Sequence, residues 1–295
     1  MKWRSARKST NVEDRRGMGG GGGGGRGGMR LGLGGIAIVV VLGLLMGKNP
    51  MEMLGLVAEL GQQAPGAESY PAQTGGPAPV DDEASQFVAS ILGETEDVWA
   101  AVFQASGETY QAPQLVLFSG RVDSACGGAT AAVGPFYCPG DRKVYIDLSF
   151  FEQMQQRLGG GGDFAEAYVI AHEVGHHIQT LTGVSDKVNQ IRQRGGNVEG
   201  ADGPLVRQEL QADCYAGLWA NRAQQRHAWL ESGDLEEAMR TATAIGDDTL
   251  QRQGQGEVVP DSFTHGSAEQ RVRWFRTGFE SGDYRSCDTF SAAQL

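Results

Sequence analysis

Two histidines separated by three residues, with a glutamate directly after the first, constrain this chain more than any other feature: His172-Glu173-Val174-Gly175-His176. Upstream, Asp163 and Glu166 have the spacing of a capping box, and Phe164, Tyr168, Ala171, Val174, Ile178 and Leu181 recur at helical spacing as far as Gly183. The pattern predicts a helix from near Phe164 to Leu181, with His172 and His176 one turn apart on one face. Two imidazoles so placed can both turn a ring nitrogen to one Zn²⁺ at about 2.0–2.1 Å. Glu173 then falls where a carboxylate takes a proton from a metal-activated water. His177, off that face, reads as a polar surface residue or as a support for a ligand.

A tetrahedral catalytic zinc needs a third protein ligand and keeps its fourth position for water. Downstream, Pro204 to Ala220 reads as a helix with proline in its first turn. Glu209 and Asp213 stand at i and i+4 of that helix, on one face. One of the two carboxylates can bind the ion while the other accepts from a ligand imidazole N–H. Leu210, Tyr215, Leu218 and Trp219 make much of the helix apolar, which argues against two solvated carboxylates.

The chain divides by composition. Residues 1–30 carry eight Lys or Arg against Glu13 and Asp14, whereas the whole chain has a net charge of −11. Gly19 to Gly25 is an unbroken glycine run, so residues 1–30 read as a basic, flexible, cytoplasmic tail. Leu31 to Gly47 contains no charge and is expected to be an uncleaved transmembrane helix, flanked by Arg30 and Lys48. Residues 48–80, rich in Pro, Gly and Gln, read as a linker, and residues 81–295 as the folded domain. With the positive excess before the span, the expected location is a single-pass inner-membrane protein, its N-terminus cytoplasmic and its domain periplasmic or extracellular. The partners are then the lipid bilayer, through residues 31–47, and a peptide or protein. The acidity of the domain argues against nucleic acid.

Within the domain, Phe87, Val88, Ile91 and Leu92 form one helical stripe. After Gly93, Thr95 would cap a second helix carrying Val98, Trp99, Val102 and Phe103. Gln114–Phe118 and Lys143–Phe150 read as strands, the latter a candidate for pairing with a substrate backbone. An even number of cysteines in an exported domain favours two disulfides. Cys126 and Cys138 bracket a hairpin-like loop and Cys214 and Cys287 remain, although three pairings are formally open. Thr264 to Arg271 opens a last helix with Ser267 and Gln270 spaced for a capping box and Val272, Trp274 and Phe275 turned inward. His227 lies on a polar stretch and reads as a surface residue.

HEVGHH at 172–177, ELQADCYAG at 209–217, THGSAEQRVRWF at 264–275 and GPFYCPGDRKVYIDLSFF at 134–151 together resemble the neutral zinc metallopeptidases, a family of membrane-anchored bacterial proteins, over roughly residues 80–290. The resemblance implies an α+β, mainly helical zincin-like domain with a small sheet, preceded by one transmembrane helix. It also implies a gluzincin site in which Glu209 is the third ligand of one zinc ion and Asp213 supports a zinc histidine. By the same resemblance His265 donates to the developing oxyanion, with Arg271 or Tyr215 as competitors and a plain helix-entry hydrogen bond as the alternative for His265. The implied activity is peptide-bond hydrolysis with Glu173 as general base. The alternative is a catalytically silent, zinc-stabilised exported binding module.

Overall fold

A computed structural model of the chain describes residues 1–16, 82–158 and 161–295. Strand β1 (Val12–Asp14) is followed by helix α1 (Glu83–Ala105), then strands β2 (Gln114–Phe118), β3 (Arg121–Ser124), β4 (Gly127–Thr130), β5 (Phe136–Cys138) and β6 (Lys143–Asp147). Helices α2 (Ser149–Leu158), α3 (Asp163–Leu181), α4 (Val184–Gln193), α5 (Pro204–His227), α6 (Asp234–Ala244), α7 (Asp247–Gln255) and α8 (Ala268–Ser281) complete the domain.

The sheet has the order β1-β2-β6-β5, with β1, β2 and β6 parallel and β5 antiparallel to β6. Because successive side chains alternate between faces, Leu115, Leu117, Val144 and Ile146 point into the helical core. Val116, Phe118 and Tyr145 meet Cys138 and the β3–β4 hairpin on the other side. β6 is therefore an interior strand, hydrogen-bonded on both sides, and cannot accept a substrate strand as its sequence suggested. β5 lies at the edge, and Asp147 ends the strand early, the chain turning into α2 at Ser149.

Residues 1–16, expected as a tail, are built into the domain. β1 pairs with β2 from Val12–Leu115 to Asp14–Leu117. Trp3 is buried edge-to-face on Phe87. Four of the eight basic residues counted above for residues 1–30 are held in internal pairs: Arg4 with Glu83, Arg7 with Glu96 and Asp97, Arg15 with Glu13, and Arg16 with Asp14 and Asp82. The same contact explains why α1 is one helix and not two. A Cβ on Gly93 would lie 2.5 Å from the Arg7 carbonyl oxygen, so glycine there admits a neighbouring backbone and does not break the helix. Thr95 caps nothing, its hydroxyl donating to the Leu92 carbonyl in mid-helix. Asp82 is the true cap, accepting from the Ser85 N–H.

The expected transmembrane helix requires correction. Residues 31–47 lie outside the described residues, and among those described no helix is long and apolar enough to cross a membrane. The long helices α1 and α5 instead bury one face in the core. What stands is an α+β, mainly helical domain with a small sheet, into which residues 1–16 are folded.

The core forms where α3 crosses α5 and α5 crosses α8. At the first crossing a Cβ on Gly175 would come within 3.1 Å of the Ala212 Cα, so the glycine inside the histidine motif lets the two helices approach. Both expected disulfides are present, Cys126–Cys138 and Cys214–Cys287, the second tying the C-terminal segment to α5.

Candidate metal centre

α3 presents His172, Glu173 and His176 from its second half, and Thr182 and Gly183 end it where expected. Its start differs. Gly162 is the cap without a side-chain bond, Asp163 takes the Met1 ammonium, and the Phe164 N–H donates to Glu237, so the anticipated capping box does not form.

Opposite, α5 brings Glu209 to the pair. His172 Nε2 lies 3.2 Å from Glu209 Oε2 and His176 Nε2 3.5 Å from Oε1. One ligand atom from each of the three residues falls within 4.8 Å of the others. Four ligands at 2.0–2.1 Å around a tetrahedral ion are separated by about 3.3 Å, so two nitrogens and one oxygen at these spacings fit a zinc donor set.

Each imidazole is fixed from behind. The Asp213 carboxylate accepts from His172 Nδ1 at 2.8 Å, from the Tyr168 hydroxyl at 2.5 Å and from Arg271 through two bonds of 2.9 Å. Burial opposes ionisation of Asp213, but Arg271 and His172 hold its pKa below the ordinary range, so His172 Nδ1 must be the donor and Nε2 is turned to Glu209. His176 Nδ1 rests 2.9 Å from Gln179 Oε1.

The charges reinforce this arrangement. Burial favours neutral rings, yet Asp213 and Glu209 raise His172 to about 10, and Glu209 raises His176 as well. Burial likewise works against the Glu209 carboxylate, which His176 and His172 nevertheless hold well below the usual range. A divalent ion held by the trio would take the place of the protons that these shifts favour on the rings. Burial pushes the Glu173 carboxyl up while the two histidines pull it down.

His265 stands on the segment leading into α8, where burial opposes its charge but the hydrogen bond to Asp247, and after it the Glu209 charge, raise its pKa. Its Nδ1 meets Thr264 Oγ1 at 2.9 Å and Asp247 Oδ1 at 3.4 Å. Asp247 Oδ2 also accepts the backbone N–H groups of Thr264, His265 and Gly266. The helix-entry role belongs to Ser267 and Gln270, which form the expected capping box.

The other candidates lie elsewhere. Arg271 is buried against Asp213, behind His172, and Tyr215 packs on Trp99 and Tyr284 in the core. His177 is fully buried, its Nε2–H donating to the Gln111 carbonyl at 2.6 Å and its Nδ1 accepting from the Tyr137 hydroxyl at 3.0 Å. His227 lies at the surface as expected and pairs there with the buried Glu94 at 2.8 Å. Sequence reasoning missed Gln179 and Asp247. Gln179 follows His176 by three residues on the same face and was open to a spacing argument, whereas nothing local marks Asp247.

The family described as "Putative neutral zinc metallopeptidase" matches residues 1–290. The "Uncharacterized protein YpfJ" of Escherichia coli (strain K12) is 49% identical over 292 residues, 98% of this chain and 99% of that protein. The "Uncharacterized protein Rv2575" of Mycobacterium tuberculosis (strain ATCC 25618 / H37Rv) is 42% identical over 242 residues, 79% of this chain and 78% of that protein. No solved structure matches the chain.

Proposed function

The chain belongs to the neutral zinc metallopeptidase family, and on that premise we propose that it hydrolyses peptide bonds at one zinc ion held by His172, His176 and Glu209. The observation that carries this reading is the approach of both Nε2 atoms to the Glu209 carboxylate, with Glu173 beside them on α3. Zinc, when bound, lowers the pKa of a coordinated water towards about 7 and polarises the scissile carbonyl.

Glu173 takes the proton of the attacking water and returns one to the leaving amine. Its burial suits the first of these transfers, because a carboxylate with a raised pKa takes up a proton more readily than a solvated one. His265 donates from Nε2 to the oxygen on which negative charge develops, its ring held at Nδ1 by Thr264 and Asp247. The extended substrate pairs with the outer edge of β5, next to α3, where Tyr137 and His177 touch.

Two disulfides favour an oxidising compartment for the domain. The hydrogen bonding of β1 into the sheet supports placing residues 1–16 in the same compartment as the site.

The test is Glu173→Gln. The variant should keep one zinc per chain and lose at least about 100-fold in cleavage of an unfolded protein substrate. Cleavage at the native rate would remove Glu173 from the mechanism, and a native chain that binds zinc but cleaves nothing would make it a silent binding module.

A further inference from the structure

The two histidines are supported by different chemistry. Behind His172 stands a carboxylate, Asp213, whose charge is matched by Arg271. Behind His176 stands a neutral amide, Gln179, which is completely buried.

The orientation of that amide follows from its other contacts. Gln179 Nε2 lies 2.6 Å from the Gln208 carbonyl oxygen and 3.1 Å from Gln211 Oε1. A backbone carbonyl only accepts, so the NH₂ end of Gln179 must face it and the oxygen end must face His176. An amide oxygen only accepts as well, so His176 Nδ1 carries a hydrogen and the Nε2 lone pair is the one offered to a cation. Gln208 immediately precedes Glu209. Gln211 is held in turn by donating 3.0 Å to the Cys287 carbonyl, next to the disulfide.

We propose that Gln179 is a positioning residue that couples two metal ligands on different helices. One amide selects the tautomer of His176 on α3 and pins the α5 backbone beside Glu209. Because Asp213 is balanced by Arg271 and Gln179 carries no charge, the groups supporting the histidines leave the positive charge of the ion undiminished. This role rests on the metallopeptidase reading above.

The experiment compares the zinc affinity of the full native chain with Gln179→Met, which fills a similar volume without hydrogen bonding, by competition against a chromogenic chelator. Zinc should bind about 10–100-fold more weakly to the variant. A purely structural role would lower the thermal midpoint yet leave the zinc affinity within about threefold of native, and that result overturns the proposal. Should the variant not fold, the native zinc-loaded protein decides the matter by nitrogen-15 NMR of the His176 ring. Its Nδ1–H should exchange slowly with water, and rapid exchange overturns the proposal. Failure of the native chain to bind zinc would sink the metallopeptidase reading itself, whereas native binding with an unaltered variant sinks only the role of Gln179.

Discussion

Gly278→Ala probes how the position of a distant helix is transmitted to the metal ligands. A Cβ at this position on α8 would sit 1.9 Å from the Cys214 carbonyl oxygen and 2.8 Å from the Leu218 nitrogen, both backbone atoms of α5 that no rotamer change can remove. Ordinary contact begins near 3.4 Å, so the helices must part locally by about 1.5 Å. Two turns earlier on α8, Arg271 reaches Asp213 through two bonds of 2.9 Å, and Asp213 is the neighbour of Cys214. A shift of that size takes both bonds beyond hydrogen-bonding range. Overpacking costs about 1–3 kcal/mol, and uncoupling a buried ion pair costs about 3–5 kcal/mol when complete. Since the helices will relax partially, the expected loss is about 2–5 kcal/mol in urea unfolding, together with weaker zinc binding through the released His172. The half-buried neighbour Thr277→Ala, which loses only an exposed bond to the Arg273 carbonyl, serves as the control and should change stability by less than about 0.5 kcal/mol. If Gly278→Ala matches that control, the close approach of α5 and α8 does not hold Asp213 in place and the reasoning fails.

Trp3→Ala should destabilise the domain by about 3–5 kcal/mol, since Trp3 is 5% exposed and packed on Phe87; an unchanged unfolding midpoint would mean that residues 1–16 are detached from the domain. Acid sensitivity should trace to His177, whose pKa burial lowers to about 4, against the opposing hydrogen bond to Gln111. The unfolded chain takes up that proton near pH 6.5 and the folded one only near pH 4, so this contribution is complete above about pH 6.5 and falls by about 3 kcal/mol on acidification to pH 4. Unfolding midpoints measured across that range should fall more steeply for the native chain than for His177→Gln, and parallel curves would refute the assignment.

What could be read from the sequence was what depends on spacing within one element. The turn between His172 and His176, the shared face of Glu209 and Asp213, and the Ser267–Gln270 capping box all follow from helical geometry, and each is present. The misreadings have a common physical origin in partners far along the chain. Gly93 looked like a helix break because the Arg7 backbone that fills its missing side chain is 86 residues away. Asp163 looked like a cap because the Met1 ammonium that it binds is 162 residues away. Arg4, Arg7 and Arg16 looked like the charges of a free tail because Glu83, Asp97 and Asp82 become neighbours only after folding. β6 looked available for a substrate because its alternation does not reveal that β2 and β5 occupy both of its edges. Asp247 carried no signal at all, its role being defined by a loop 17 to 19 residues downstream.

Zinc K-edge X-ray absorption on the loaded native chain and on Glu209→Ala tests most directly whether α3 and α5 converge on one ion. The native spectrum should show two imidazole nitrogens and a carboxylate oxygen at about 2.0–2.2 Å with one zinc per chain, and the variant should lose the carboxylate contribution. A third imidazole or a sulfur in the native shell, or a shell unchanged by Glu209→Ala, would contradict it.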